Sequence, residues 1–165
     1  VGCHWCDVKE SWDENSHPII SIEEIVKKSA GLSDFVVVTG GEPLMWNMNP
    51  LTKALKRLSK KTHIETSGAY PLTGFWDWIC LSPKKAKLPI QDAYNNANEL
   101  KIIIYNNHDF KFAEKEAKKV NKNAILYLQP EWGKREEMMP LMVDFIKKNP
   151  KWKISLQTHK YLNIP

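Results

Sequence analysis

Cys3 and Cys6, in the run Cys3-His4-Trp5-Cys6, are spaced so that two thiolates can reach one metal centre or close one redox disulfide. A zinc site asks for four ligands, and neither a second C-x-x-C nor paired histidines at ligand spacing follow. A thioredoxin-like motif would open a helix, which Asp7 and the polar stretch from Lys9 to Ser16 oppose. Taken alone, the pair reads equally well as two incidental cysteines. Gly40-Gly41-Glu42-Pro43 is more specific, because it follows the apolar run Phe35-Val36-Val37-Val38. Its two glycines permit positive φ and close backbone approach, so their amides can face a ligand carboxylate while Glu42 offers an acceptor to a ligand ammonium. That combination suits the amino-acid end of a zwitterion. A plain strand-to-helix turn needs one glycine and no acid.

These groups need elements to position them. Ser21-Ile22-Glu23-Glu24 reads as a capping box opening a helix with Ile22, Ile25 and Val26 on its apolar face and Gly31 as its stop. Residues 35–39 form a β-branched run without alternation, the pattern of a strand covered on both faces. Asn49-Pro50 starts a second helix with Leu51, Leu55 and Leu58 on one face, and residues 63–66 read as the next strand. Further strands are expected at 78–81 and 100–105, separated by a loop bearing lysine and proline. A helix with Phe110, Ala113, Ala117 and Val120 on its face follows, then a strand at 124–128. The next helix runs to about Lys148, with Pro140 either delaying its start or kinking it, and residues 154–157 form the last strand.

Apolar strands alternating with amphipathic helices predict an α/β fold of parallel β-α units, an open sheet or a barrel. Ligands in such folds collect at the carboxyl ends of the strands. Here those ends read Thr39-Gly40-Gly41-Glu42-Pro43, Glu65-Thr66-Ser67-Gly68, Ser82-Pro83-Lys84, Gln129-Pro130 and His159-Lys160, so polar groups gather where chemistry is expected.

The 165 residues amount to one domain, with 42% hydrophobic and 26% charged side chains, a composition that excludes a disordered chain. No uncharged apolar run approaches the roughly 18 residues of a membrane span, and no leader peptide is evident. The net charge of +5 is scattered, and only Arg57 and Arg135 supply guanidinium among 24 basic side chains, so no direct nucleic-acid binding is expected. Three cysteines are too few for a disulfide framework and point to a reducing, cytoplasmic compartment.

Taken together, C-x-x-C near the start and Gly-Gly-Glu-Pro after the next strand resemble the radical S-adenosylmethionine (SAM) superfamily. Its signature, C-x-x-x-C-x-x-C, places three thiolates on a [4Fe-4S] cluster whose fourth iron binds SAM. Cys3 and Cys6 match the second and third cysteines, and the first falls two residues before Val1. The expectation is an N-terminally truncated single domain, residues 1–165, that holds no full cluster alone and is inactive in isolation. Cys3-His-Trp-Cys-Asp7, Thr39-Gly-Gly-Glu-Pro, Glu65-Thr-Ser-Gly, Ser82-Pro-Lys, Gln129-Pro and His159-Lys-x-Leu-x-x-Pro165 resemble, in order, the 7-carboxy-7-deazaguanine synthase family of queuosine biosynthesis.

That resemblance implies a shortened parallel β-α barrel of the radical SAM type. It implies that Trp5 and Asp7 flank the cluster beside SAM, that Gly41 and Glu42 hold SAM's methionine end, that Gly40 and Ser67 also bind the cofactor, and that Ser82, Lys84 and Gln129 line its adenosine side. Thr39, His159 and the carboxylate of Pro165 would bind the pterin. The implied reaction is radical ring contraction of 6-carboxy-5,6,7,8-tetrahydropterin to 7-carboxy-7-deazaguanine with loss of ammonia. A homodimer and a reductase or flavodoxin electron donor are implied as well. Val8 departs from the pattern: the family commonly has threonine there, whose hydroxyl helps coordinate Mg2+, and valine offers no side-chain oxygen.

Simpler readings cover other residues. Cys80, between Ile79 and Leu81, reads as a buried structural thiol, and His17, His63 and His108 as surface or turn residues. The tryptophans read mostly as core, although Trp12 and Trp132 lie in loops and could meet a ligand. Lys118-Lys119 and Lys147-Lys148 read as solvated helix ends. The competing functions are another small radical SAM protein such as a glycyl-radical activating enzyme, a zinc- or RNA-binding module using Cys3, His4 and Cys6, and a thiol-disulfide protein.

Overall fold

Ser21 caps the first helix as its sequence dictates, its hydroxyl accepting from the Glu24 amide at 3.1 Å. That helix, α1 (Ile22–Ser29), ends before Gly31, which takes φ +75°. The computed structural model describes Cys6, Lys9, Asp13 and residues 17–164. It divides into two compact units, residues 1–97 and 98–165.

In the first unit, β1 (Phe35–Val38), β2 (Lys61–Thr66) and β3 (Trp78–Leu81) pair in parallel, with Val38 beside Ile64 and Thr66 beside Leu81. Helix α2 (Asn49–Arg57), started by Pro50, connects β1 to β2 and buries Leu55 and Thr52; Leu58 lies past its end and is exposed. Leu44, Ile64 and Ile79 form a buried cluster with Met48, Tyr70, Leu72 and Trp76 packed against it. Burial of an aliphatic side chain of this size contributes about 1.5–3 kcal/mol, so the cluster fastens the segment carrying Leu44 onto β2 and β3. Asp77 ties α2 to this sheet by accepting from Lys56 and, at 2.6 Å, from the Thr62 amide, and these hydrogen bonds hold its carboxyl below the ordinary range.

The expectation that β1 is covered on both faces is not met. Phe35 and Val37 are 50% and 54% exposed, while Val36 and Val38 turn inward, because the pleat alternates and no described element packs on the outer face. Phe35 instead sets its ring edge-on to His63, 5.3 Å between centroids. The stretch between β3 and the next strand contains a short helix, α3 (Gln91–Asn96), which buries Ala93 and Tyr94. Its polar composition and lack of a helical apolar repeat hid it in the sequence.

In the second unit, β4 (Glu99–Ile104), β5 (Ile125–Pro130) and β6 (Trp152–Ile154) pair in parallel, with Ile103 beside Gln129 and Leu128 beside Ile154. Helix α4 (His108–Ala117) joins β4 to β5, and α5 (Arg135–Lys148) joins β5 to β6. Pro140 does not delay the start of α5; it sits inside the helix, with Met138 and Met142 buried on either side of it. Packing of those methionines offsets the hydrogen bond that proline cannot donate. Glu114 of α4 accepts from Trp152 Nε1 at 2.6 Å and from Lys151 Nζ at 2.8 Å, fastening the helix to the start of β6. The chain then enters a one-turn helix, α6 (Thr158–Tyr161).

Candidate active site

Parallel pairing brings the polar ends of β1, β2 and β3 to one edge of the first unit. Residues 39–41 leave β1 as an exposed turn in which Gly40 takes φ +134°, and a Cβ built there would meet nothing within 4 Å. The turn is open, with room for a small polar ligand end beside it.

Glu42, expected as an acceptor for a ligand ammonium, faces the end of β2. It is only 6% exposed, and its carboxylate already accepts four hydrogen bonds. Oε1 takes Thr66 Oγ1 at 2.6 Å and the Leu44 amide at 3.2 Å, while Oε2 takes the Ser67 amide at 2.8 Å and the Ser67 hydroxyl. Each oxygen accepts two of these bonds, two of the four coming from hydroxyls that can rotate. Glu42 acts as a strut that locks the glycine turn of β1 to the end of β2. The bond to Leu44 also caps the short 3-10 turn Pro43–Met45.

Ser67 is drawn to Glu42, and Gly68 follows it at φ +71°, where a Cβ would fall 2.4 Å from Leu81 and 2.9 Å from Ala93. The glycine is therefore required by space as well as by backbone. The Ser82 amide donates to Thr66 O at 2.8 Å, and Ser82 Oγ accepts from Lys84 Nζ at 2.7 Å, so these two residues come together beside the end of β2. Thr66 is the partner that the sequence reading left out of the site. Its signal was available in its place next to Ser67 at a strand end.

In the second unit, Gln129 is 8% exposed near the carboxyl end of β5, and its Oε1 accepts from Ser155 Oγ at 3.2 Å. That bond leaves the carboxamide NH2 as the side chain's donor group. His159 is exposed on α6. Trp132, which the sequence placed in a loop, lies in a 3-10 turn, Trp132–Lys134, just after β5, and it contacts Arg135, Lys160 and Tyr161. The groove between α4 and α5, lined by Phe110, Lys111, Glu114, Lys115, Lys118 and Phe145, contains none of the expected site residues.

Cys6 is half-buried and outside any disulfide, and Cys80 is buried in β3 as expected. Cys3, Trp5, Asp7, Val8, Trp12 and Pro165 lie outside the described residues. Among the described residues no group of three or more His, Cys, Asp or Glu side chains converges as a metal centre.

No family model matches the chain. It is 63% identical over 165 residues to the 7-carboxy-7-deazaguanine synthase of Flavobacterium psychrophilum, a match covering 100% of this chain and 79% of the relative. To the synthase of the same name from Synechocystis it is 49% identical, over 99% of this chain and 79% of the relative. Among solved structures, the crystal structure of QueE from Escherichia coli superposes with a TM-score of 0.81 at 24% identity, covering 94% of this chain and 80% of that one. The expected α/β fold of parallel β-α units is the one observed, and it matches the fold of that structure. On the identities with the named synthases, this chain belongs to the 7-carboxy-7-deazaguanine synthase family of enzymes.

Proposed function

We propose that the protein converts 6-carboxy-5,6,7,8-tetrahydropterin to 7-carboxy-7-deazaguanine by radical SAM chemistry, with residues 1–165 acting as one radical SAM domain. The observation that carries this reading is the 63% identity, over the whole chain, to a relative named for that product. The chemistry of the described residues fits the two cofactors. Cys6 is a thiol outside any disulfide, the ligand type that iron-sulfur clusters take, and the turn at Gly40 is exposed with room for a ligand.

When bound, the [4Fe-4S] cluster and SAM supply one-electron chemistry, a carbon radical able to take hydrogen from the substrate. The protein's own part is holding and orienting. Cys3 and Cys6 contribute thiolates to iron, with Trp5 and Asp7 flanking them. Gly41 and Glu42 bind SAM's methionine end and Gly40 and Ser67 also meet the cofactor, while the bonds from Thr66 and Ser67 to Glu42 keep the turn in place. Ser82, Lys84 and Gln129 take the adenosine side; Lys84 donates to Ser82 Oγ and Ser155 to Gln129 Oε1. Thr39, His159 and Pro165 bind the pterin, whose carboxylate and ring nitrogens suit such partners. Mg2+ has no oxygen to gain from Val8, so any ion taking part is held by substrate and water.

The same reading includes a homodimer, a reductase or flavodoxin as electron donor, and a cytoplasmic location. No helix among the described residues is long and apolar enough to cross a membrane. The test is anaerobic turnover of the full-length protein, reconstituted with iron and sulfide and given reductant, SAM and the pterin. Formation of 7-carboxy-7-deazaguanine, identified by mass, is the expected result. Cleavage of SAM without that product would contradict the substrate, and zinc binding without SAM cleavage would return the chain to a binding module.

A further inference from the structure

Helix α6 is four residues long, buries no side chain and has no side-chain cap. A single turn of this kind is not stable by itself, because nucleation fixes several residues for one hydrogen bond. The turn carrying Trp132 is the opposite case. The Glu131 amide donates to Ile104 O at 2.9 Å, and the Glu131 carboxylate accepts from the amides of Gly133 and Lys134 at 3.0 and 3.1 Å. Arg135 donates to Trp132 O at 2.8 Å, and its guanidinium lies 4.4 Å from the centre of the Trp132 ring. Trp132 is thus seated on a turn that is held from both sides.

From that seat the indole reaches α6 twice. Tyr161 meets it edge-on with ring centroids 5.0 Å apart, and Lys160 Nζ lies 5.3 Å from the ring centre. Lys160 and Tyr161 immediately follow His159, whose side chain is exposed. Within the turn, the Leu162 amide donates to Thr158 O at 3.0 Å and the Ile164 amide to His159 O at 2.9 Å.

We infer that Trp132 is a positioning residue: it orders α6 and thereby sets where His159 meets the substrate. The inference rests on the proposed role of His159 in binding the pterin. Trp132 itself is not assigned a contact with substrate. Phenylalanine retains an aromatic face for Tyr161 and a weaker one for Lys160, whereas alanine retains neither.

The experiment uses full-length, reconstituted protein in wild-type, Trp132→Ala, Trp132→Phe and His159→Ala forms. Hydrogen exchange of residues 158–164 is read without turnover, and KM for pterin, KM for SAM and kcat are read with it. Trp132→Ala is expected to speed exchange at Leu162 and Ile164 and to raise the pterin KM about tenfold, or about 1.4 kcal/mol. The KM for SAM and the melting temperature should stay near wild type, and Trp132→Phe should recover most of both effects. A merely structural tryptophan would lower the melting temperature and kcat without singling out the pterin KM. Unchanged exchange in Trp132→Ala, or an unchanged pterin KM there while His159→Ala raises it, overturns the inference. An unchanged pterin KM in His159→Ala overturns the underlying role of His159 instead.

Discussion

Glu42 and Ser67 meet twice, with one carboxylate oxygen accepting from both the amide and the hydroxyl of the serine. The contact joins residues 25 apart and spans the ends of two adjacent parallel strands. With Thr66 and Leu44 on the other oxygen, Glu42 holds the glycine turn after β1 to the end of β2.

Glu42→Gln exchanges an acceptor oxygen for an NH2 group that faces donors. The expected loss is about 1–3 kcal/mol of unfolding free energy, with Ser67→Ala costing about 1 kcal/mol. Urea denaturation measures both. An acceptor reserved for a ligand ammonium would leave stability unchanged and lower only SAM affinity.

The two site glycines separate backbone need from spatial need. Gly68→Ala combines positive φ with a Cβ 2.4 Å from Leu81, whereas Gly40→Ala has positive φ but open space. The backbone penalty is about 1–2 kcal/mol in the left-handed region of Gly68, where overpacking adds about 1–3 kcal/mol, and about 1–3 kcal/mol at the φ of +134° of Gly40, where no clash is added. Thermal unfolding should rank Gly68→Ala well below Gly40→Ala, while SAM affinity should fall more per unit of lost stability in Gly40→Ala.

Glu114 predicts a pH dependence. Burial pushes its carboxyl up, but the hydrogen bonds from Lys151 and Trp152 outweigh this and hold it below the ordinary value of 4.5. A depressed carboxylate contributes stability above its unfolded value, and the contribution is lost as pH falls through the lower folded one. The wild-type protein should lose stability as the pH drops below about 4.5, and Glu114→Gln should flatten that fall while costing about 1 kcal/mol at pH 7. Urea titrations from pH 3 to 7 read both arms.

Val8 predicts a metal response. Turnover of the wild-type protein should depend weakly on added Mg2+, and Val8→Thr, by supplying a hydroxyl, should lower the Mg2+ concentration needed for half-maximal rate. Identical Mg2+ titrations of the two proteins would show that this position does not meet the ion.

Much of this arrangement was legible in the chain because strand ends announce themselves by a change in residue type. The glycine pair after Val38, the serine and glycine after Thr66, and Ser82 after Leu81 all fall where parallel pairing brings them to one edge. What stayed hidden depends on tertiary contact. The carboxylate of Glu42 gave no sign in sequence that Thr66 and Ser67 would be its protein partners. The valines of β1 have the composition of a buried strand, yet Val37 faces outward. Pro140 breaks helices in general and is carried here by buried methionines on each side. Trp132 gave no sign that its partners were Tyr161 and Lys160, nearly 30 residues on.

The most direct measurement is electron paramagnetic resonance of the full-length protein, reconstituted anaerobically with iron and sulfide, reduced, and recorded with and without SAM. The account predicts four irons per chain and a reduced-cluster signal that shifts when SAM is added. Zinc in place of iron, or a cluster signal indifferent to SAM, would contradict it.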